Sequence, residues 1–270
     1  MKCIICNNES TFLFKKEFEG VFKSMIASSA YYKCKNCGFT FSPTIFELNE
    51  EVFSKLNIAF HRYIEDPSVE KLMNQPPYIE QATMLNILEK NKLIDMNNSL
   101  DFAGGYGTLH EILKKYFNRC TFLIYDPYMQ DINSNQYITK DNLKQYNTVF
   151  NSAFFEHITC RETLEEINSC VSENGVLIIH TVVCENIPKD SNWFYINPVH
   201  CALHTNKSME ILMKQWNYKW SLYCPSAKSW ILFKNEYNNQ GKIVDEINKE
   251  LQTNYLYYKT KGFVDFWKGF

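Results

Sequence analysis

The chain has 270 residues, of which 45% are hydrophobic and 16% aromatic, and its formal net charge is -2. This length and apolar content exclude a disordered chain and predict one large domain, or a medium domain with a small appendage. The near-neutral charge argues against a nucleic acid as the main partner, because proteins that bind nucleic acids usually carry a basic excess.

The N-terminal segment MKCIICNNES lacks the apolar stretch of a signal peptide. The longest apolar run, residues 176–183, is far shorter than the ~20 residues of a membrane-spanning helix. We therefore expect a cytoplasmic protein without a membrane span. In that compartment the ten cysteines stay reduced, so paired Cys-x-x-Cys motifs indicate a metal rather than disulfide bonds.

Two such pairs lie near the N-terminus, Cys3 with Cys6 and Cys34 with Cys37. Each pair can form a tight knuckle, and two knuckles supply the four thiolates of a tetrahedral Zn²⁺ site. Four thiolates leave no open coordination position, so the predicted role of the zinc is structural. Alternating residues in the segment 7–33 predict a hairpin between the pairs. The six remaining cysteines, Cys120 among them, lack ligand spacing, and most are expected to be core thiols.

Two amphipathic helices are predicted after the cysteine module. The first covers residues 49–65 with Asn49 as its N-cap, and the second covers 79–93. We expect them to form a connector over the ligand edge of the main domain.

The stretch SLDFAGGYGTLHEILKKY (99–116) predicts a short strand, a turn of small residues and a helix from about Thr108. Such a turn lets the backbone approach a ligand, although a glycine-rich turn alone is weak evidence. A second strand (120–128) places Asp126 roughly 20 residues later, where nucleotide-binding folds hold ribose hydroxyls. An apolar run (147–158), a helix (161–171) and a strand (176–183) follow. This alternation predicts an α/β fold with a parallel sheet.

The order of LDFAGGYG, YDP, FFEHI and ENGVLIIHT resembles the class I S-adenosylmethionine-dependent methyltransferases over about residues 34–235. The likeness is greatest to a branch with an N-terminal cysteine knuckle that often modifies sugars in surface-polysaccharide or antibiotic pathways. It implies a Rossmann-like seven-stranded methyltransferase sheet, whose last strand is inserted antiparallel, with a small N-terminal zinc ribbon. The implied cofactor is S-adenosylmethionine, which leaves S-adenosylhomocysteine as product.

The resemblance also implies which residues bind that cofactor. Asp101, Gly105 and Gly107 would line its methionine part, and Asp126 would hold the ribose. Asp141, or Asp141 together with Asn142, would lie near the adenine. The full set of candidates is Asp101, Ala103, Gly104, Gly105, Gly107, Asp126, Pro127, Asp141, Asn151 and Phe154.

Two positions depart from the family pattern. Ala103 stands where the family turn usually begins with glycine, and Asn147 stands where an aspartate is frequent. A dehydrogenase would instead require G-x-G-x-x-G, but Leu109 and His110 occupy the place of its last glycine. The motif order therefore favours methyl transfer over hydride transfer.

Candidate catalytic residues lie in the run 147–158, which the resemblance makes the fourth strand of the methyltransferase sheet. A histidine suits a general base near neutral pH, and Glu156 with His157 are expected at the end of that strand. His157 is the candidate base and Glu156 would orient it or contact substrate; alternatively the pair only shapes the cofactor pocket. The long loop 185–208 adds the aromatic residues 193–195 and two histidines, of which His200 is the stronger candidate for the substrate site and His204 the weaker.

The predicted function is methyl transfer to a small sugar-linked acceptor, either a nucleotide-activated sugar or a precursor of capsule or surface polysaccharide. O-methylation is favoured, because the longer C-methylating relatives carry a further C-terminal domain. The alternatives are a zinc-ribbon ribosomal-RNA methyltransferase and a non-catalytic cofactor-binding scaffold. A monomer and a homodimer both stay open, as does the identity of the acceptor.

The expected division has four segments. Residues 1–48 form the zinc module, 49–95 the helical connector or lid, 96–236 the cofactor-binding methyltransferase domain, and 237–270 a helical and aromatic extension. Within the third segment, residues 207–218 predict a helix, and 219–225 with 229–234 predict a closing hairpin.

Overall fold

A computed structural model describes residues 1–65, 76–118, 122–128, 135–236 and 239–265. The chain divides into two compact units. Unit 1 comprises residues 1–75, 155–164 and 182–212, and unit 2 comprises 76–154, 165–181 and 213–270. The four-segment division expected from the sequence is a different partition and stays a prediction. Cys120 and the last five aromatic-rich residues, 266–270, lie outside the described residues.

The strands of the described residues are, in chain order, β1 (Ser10–Glu17), β2 (Ser28–Cys34), β3 (Thr40–Phe41), β4 (Ser99–Phe102), β5 (Phe122–Tyr125), β6 (Tyr146–Ser152), β7 (Val171–His180), β8 (Val183–Cys184), β9 (Ala202–Thr205), β10 (Trp220–Cys224), β11 (Ser229–Phe233) and β12 (Tyr257–Lys259). The helices are α1 (Pro43–Phe46), α2 (Glu50–Glu65), α3 (Tyr78–Lys90), α4 (Thr108–Phe117), α5 (Arg161–Ser169), α6 (Asn206–Gln215) and α7 (Gln240–Glu250). Within the described part of the chain, none of these helices combines the length and apolar character that crossing a bilayer requires.

Unit 1 is built on a five-stranded sheet with the strand order β1-β2-β3-β9-β8. Strands β1 and β2 pair antiparallel, which confirms the hairpin predicted between the two cysteine pairs. Strand β3 then pairs antiparallel with β9, and β9 runs parallel to β8. The N-terminal ribbon therefore shares one sheet with strands that lie more than 140 residues later in the chain.

The core of unit 1 has two clusters of buried side chains. One surrounds Tyr31 and Leu203, and the other joins Ile45 and Leu56 to Val199. Helix α2 belongs to the second cluster. The predicted N-cap is confirmed, since Asn49 Oδ1 accepts a hydrogen bond from the backbone N–H of Val52 at 2.9 Å.

Unit 2 contains a seven-stranded sheet with the order β12-β10-β11-β7-β6-β4-β5. The four strands from the β5 edge inward, β5, β4, β6 and β7, are parallel, and β11 is inserted antiparallel between β7 and β10. This confirms the predicted Rossmann-like methyltransferase sheet and the antiparallel last insertion. The tail was expected to be helical and then aromatic, yet it adds strand β12 after helix α7, because residues 257–259 pair with the edge of β10.

Strand β6 ends earlier than the apolar run 147–158 predicts. Ala153 takes a φ of 53°, which ends the extended conformation, and a 3-10 turn covers Phe155–His157. Glu156 and His157 therefore do not end the strand, as the sequence suggested, but lie in a turn after it. The apolar character of the run reflects burial of that turn, since Phe155 is fully buried.

Three strands of unit 2 are buried on both faces, as expected for sheet strands that helices cover. Every residue of β4, β10 and β11 is buried. Helix α3 contributes Leu85 and Leu88 to a core that includes Leu109 of α4. This arrangement supports the β4–α4 turn, which carries the small-residue motif.

Candidate active site and metal centre

The four predicted zinc ligands converge in unit 1. The Sγ atoms of Cys3 and Cys37 lie 3.6 Å apart, those of Cys6 and Cys34 3.5 Å, and those of Cys6 and Cys37 3.6 Å. Tetrahedral zinc with Zn–S bonds of about 2.3 Å requires sulfur atoms about 3.8 Å apart. The donor set and its spacing therefore fit a four-thiolate zinc site.

Electrostatics in this cluster also favour a cation. The hydrogen bond from the Cys37 thiol lowers the pKa of Cys3 to about 6, and the same contact raises the pKa of Cys37. Close packing of the four thiols thus makes it easier for the first thiol to lose its proton and harder for the next one to do so. A divalent cation offsets the repulsion between neighbouring thiolates, because it stabilises all four of them at once.

The β4–α4 turn in unit 2 brings most of the predicted cofactor-binding residues together. Ala103, Gly105 and Gly107 all have positive φ values, of 63°, 54° and 73°. The backbone N–H of Gly105 donates to Asp126 Oδ2 at 2.8 Å, and Tyr128 N–H donates to Asp126 Oδ1 at 2.8 Å. The Asp126 carboxylate therefore stands beside the turn, as the motif spacing predicted.

Space within the turn is limited on one side and open on the other. A Cβ atom at Gly104 would lie 2.8 Å from the Asp101 carboxyl group and 2.9 Å from Ile124 Cγ2. A Cβ atom at Gly105 would have no heavy atom of the described residues within 4 Å. The turn consequently has one face packed on β4 and β5 and one bare backbone face that a ligand can approach.

The carboxyl group of Asp101 has a strongly raised pKa. Its side chain is 2% exposed, and burial together with the nearby Asp126 raises its pKa to about 8. Among the described residues, no group donates a hydrogen bond to Asp101 Oδ1 or to Asn151 Oδ1. Asp101 and Phe150 pair across β4 and β6, so Asn151 follows the position opposite Asp101.

These two acceptors supply a test of whether the cofactor fits. A buried acceptor without a donor is costly, and a ligand that brings donors relieves the cost. The α-ammonium group of S-adenosylmethionine is such a donor. The bare turn, Asp126 and the two acceptors of Asp101 and Asn151 therefore fit this cofactor.

The remaining cofactor candidates are also placed by the structure. Phe154 is buried and lies 5.9 Å from Phe102, ring centre to ring centre. Pro127 is half-buried beside Asp126, and Asp141 is exposed in a 3-10 turn, Lys140–Asn142. Sequence reasoning missed Tyr137, whose hydroxyl donates to Gly105 O at 2.9 Å and so holds the turn.

The three catalytic candidates come together in unit 1. Potential ligand atoms of Glu156, His157 and His200 all lie within 4.8 Å of one another, and the two imidazole rings are 5.0 Å apart. Glu156 and His157 are buried, and His200 is half-buried. Two histidines with a carboxylate could serve acid-base chemistry, and the same three groups could also ligate a divalent cation.

Hydrogen bonds orient both imidazole rings. His157 Nδ1 lies 2.7 Å from Asn57 Oδ1, and His200 Nδ1 lies 2.8 Å from the carbonyl oxygen of Tyr195. Sequence reasoning missed Asn57. Its signal was present, because the buried face of α2 continues through Phe53 and Leu56, and position 57 falls on that face.

The other loop candidates have different surroundings. His204 is 1% exposed and lies between the rings of Phe39 and Phe155. Burial lowers its pKa to about 4, so it stays neutral at physiological pH. Phe194 is 65% exposed, which leaves its ring accessible.

The strand order, the small-residue turn after β4 and the carboxylate after β5 define a Rossmann-like methyltransferase. A sequence-family model described as "Methyltransferase domain" matches residues 72–221, more than half of the chain. The chain belongs to this family, and it is an S-adenosylmethionine-dependent methyltransferase. A comparison with curated protein sequences finds no significant match.

Solved structures similar to this chain include two methyltransferases. One is the plantazolicin methyltransferase BpumL in complex with a triazolic desmethylPZN analogue and S-adenosylhomocysteine, with 13% identity over 78% of this chain and 97% of that chain and a TM-score of 0.46. The other is an S-adenosylmethionine-dependent methyltransferase from Aquifex aeolicus, with 13% identity over 62% and 96% and a TM-score of 0.40. The family assignment rests on the sequence-family match and the sheet topology.

Proposed function

We propose that this methyltransferase transfers the methyl group to a hydroxyl oxygen of a small sugar-linked acceptor, with His157 as general base. The acceptor would be a nucleotide-activated sugar or a precursor of capsule or surface polysaccharide. The observation that carries the proposal is the cluster of Glu156, His157 and His200. Hydrogen-bonding groups of this kind suit a polyhydroxyl acceptor, and the exposed ring of Phe194 offers an apolar face for a sugar.

The chain's residues divide the work in this proposal. When bound, S-adenosylmethionine supplies an electrophilic methyl group on a sulfonium. Asp101, Asp126 and Asn151 hold the cofactor at the edge of the seven-stranded sheet. His157 accepts the proton that the acceptor hydroxyl loses, Glu156 orients the acceptor or the imidazole, and His200 contacts the acceptor. Alignment of the two reacting groups supplies the rest of the rate enhancement.

The test is His157→Ala, assayed with a panel of nucleotide sugars and, separately, for binding of S-adenosylhomocysteine by calorimetry. Loss of a general base lowers the rate by about 10²–10⁴-fold, so turnover should fall by that factor while cofactor affinity stays within about threefold. His180→Gln is the matched control, since His180 is bonded to Lys228 O in unit 2 and should retain turnover.

Three outcomes would contradict the proposal. Unchanged turnover in His157→Ala would show that His157 is not the general base. Stoichiometric binding of Mn²⁺ that Glu156→Gln abolishes would assign the cluster to a metal instead. Methylation of ribosomal RNA, with no sugar substrate accepted, would favour the RNA alternative, for which the ribbon lysines Lys15, Lys16, Lys23, Lys33 and Lys35 are the supporting feature.

The four-cysteine cluster is proposed to hold a structural Zn²⁺. Its four thiolates complete the coordination of the ion and thereby stabilise the ribbon. No coordination position is left open for a substrate. Measurement of one zinc per chain in the purified protein, lost together with the fold of the ribbon in Cys34→Ser, is the expected result. A metal-free protein with an intact ribbon would contradict it.

A further inference from the structure

Helix α2 carries an amide at a position where its pattern calls for an apolar side chain. Phe53, Leu56 and Phe60 follow the i, i+3, i+7 spacing of a core-facing stripe, and Asn57 falls at i+4. Asn57 is fully buried. Asparagine is a poor residue for a helix interior, and a buried amide without partners costs free energy. Its presence therefore calls for a reason other than packing.

Two hydrogen bonds determine which way the Asn57 amide points. Nδ2 donates to the backbone carbonyl oxygen of Phe53 at 2.8 Å, and Oδ1 lies 2.7 Å from His157 Nδ1. In the reversed orientation, Oδ1 would face the Phe53 oxygen, and two acceptors would oppose each other at that distance. The carbonyl of Phe53 thus selects the orientation in which the amide oxygen faces the imidazole.

That orientation determines the tautomer of His157. An amide oxygen only accepts hydrogen bonds, so His157 Nδ1 must carry the hydrogen that it donates to Asn57. The neutral imidazole then has its lone pair on Nε2. Residue 157 and residue 57 are 100 positions apart in the chain, so this pairing depends on tertiary packing.

We propose that Asn57 is a positioning residue that holds His157 in the Nδ1–H tautomer and so makes Nε2 its basic atom. The inference rests on the proposed function, in which His157 accepts the acceptor's proton. It adds that Nε2 is the nitrogen that accepts the proton, and that Asn57 is the residue that determines this. Asn57 acts through His157 and touches neither cofactor nor acceptor in this proposal.

The choice of asparagine over aspartate has a consequence for charge. A carboxylate at position 57 would hold the same tautomer but would also favour the imidazolium, which cannot accept a proton. The neutral amide orients the ring without adding charge to a cluster that already contains Glu156 and His200 as titratable groups. Asparagine thus keeps His157 available as a base.

The first experiment reads the tautomer by ¹⁵N NMR of the imidazole nitrogens in full-length protein. In the wild type, His157 should show a protonated Nδ1 and an unprotonated Nε2 at pH above its titration. In Asn57→Leu, the Nε2–H form, which a histidine side chain free in water favours, should appear, whereas Asn57→Asp should keep the Nδ1–H form. His180, whose Nδ1 is bonded to Lys228 O, is the internal reference and should not change.

Asn49→Ala is the matched control for the helix itself. It removes the side-chain cap of α2 and so weakens the helix, but it leaves the amide at position 57 in place. The tautomer of His157 should be unchanged in this variant. If Asn49→Ala altered the tautomer as much as Asn57→Leu, the effect would belong to helix stability and the inference would be overturned.

The second experiment is the pH profile of turnover. Asn57→Asp should shift the acid limb upward by about one pH unit or more, because the carboxylate stabilises the protonated imidazole, and should approach wild-type turnover above that limb. Asn57→Leu should lose about tenfold or more at every pH, since the wrong tautomer lacks a base at Nε2. A purely structural role would leave the acid limb in place.

The two hypotheses fail in distinguishable ways. If NMR shows that Asn57 controls the tautomer but His157→Ala retains turnover, the proposed function is wrong and the hydrogen-bond assignment stands. The opposite case is that His157→Ala loses turnover, but wild-type His157 is protonated at Nε2 or Asn57→Leu keeps the Nδ1–H form. The inference about Asn57 is then overturned, while His157 stays the proposed general base.

Discussion

Asp101 shows how a single residue can be unfavourable for folding and useful for binding. Its carboxyl group is buried at the end of β4 with an acceptor that no described residue satisfies, and its pKa is raised to about 8. In the unfolded chain the same group ionises near its usual value of 3.8. The folded protein therefore holds a proton that the unfolded chain releases between about pH 4 and pH 8.

The sign of the pH dependence follows from that difference. Where the folded state binds more protons than the unfolded state, the free energy of unfolding falls as pH rises. The contribution of Asp101 is therefore most favourable below pH 4 and is lost as pH rises to about 8. Bound cofactor should reverse the loss, because an ammonium group favours the ionised carboxylate.

Asp101→Asn should consequently raise the unfolding free energy at pH 8 by about 1–3 kcal/mol in the absence of cofactor, since it removes a buried group with an unsatisfied charge. Thermal unfolding across pH 5–9 checks the stability, and the gain should shrink toward the acid end. The rise in melting temperature that S-adenosylhomocysteine causes should be smaller than in the wild type. A variant less stable at pH 8 than the wild type would contradict this account.

At the scale of elements, the β4–α4 turn joins a conformational cost to a functional gain. Ala103 takes a left-handed conformation that glycine adopts without a penalty. The next residue, Gly104, has no room for a side chain, because Asp101 and Ile124 lie within 2.9 Å of a Cβ atom built there. The backbone conformation at position 103 thus favours glycine over alanine. At position 104 it is the packing of neighbouring side chains that excludes a larger residue.

One substitution at each position should separate the backbone effect at position 103 from the packing effect at position 104. Ala103→Gly should increase the free energy of unfolding by about 1 kcal/mol, because it relieves the left-handed strain, and should leave affinity for S-adenosylhomocysteine nearly unchanged. Gly104→Val should displace Asp101 and weaken that affinity about tenfold or more. Chemical denaturation and calorimetry measure the two effects. Equal cofactor affinity in both variants would refute the packing argument at position 104.

At the scale of the whole molecule, the five-stranded sheet joins the cysteine ribbon to one of the candidate catalytic histidines. Strands β1, β2 and β3 flank the cysteines, and β3 pairs with β9, which begins two residues after His200. Tyr31 of β2 also donates a hydrogen bond to the carbonyl oxygen of His200 at 2.8 Å. The cysteine ribbon and the candidate histidine thus belong to one hydrogen-bonded structure inside unit 1.

Removing zinc should therefore affect unit 1 before unit 2. We expect chelation to increase amide hydrogen exchange in β1, β2 and β9, while the central strands of unit 2 keep their protection. Turnover should be lost, and binding of S-adenosylhomocysteine should persist. Hydrogen-exchange mass spectrometry with a binding assay measures both, and re-addition of Zn²⁺ should restore turnover. Uniform loss of protection in both units, or full activity without metal, would contradict the prediction.

Local patterns in the sequence determined much of this architecture. Alternating strands and amphipathic helices predicted the parallel sheet, the cysteine spacing predicted the cluster, and small residues after Asp101 predicted the turn beside Asp126. These features depend on residues close in the chain, where periodicity, steric freedom and turn chemistry act directly.

Only the tertiary structure decided the rest. The pairing of β3 with β9, the seventh strand supplied by residues 257–259, and the contact of Asn57 with His157 all join distant segments. Such contacts are selected by packing of the whole chain, because the free energy of burying a face or satisfying an amide depends on which partner arrives there. A local pattern shows that position 57 faces inward, but folding alone determines that a histidine meets it.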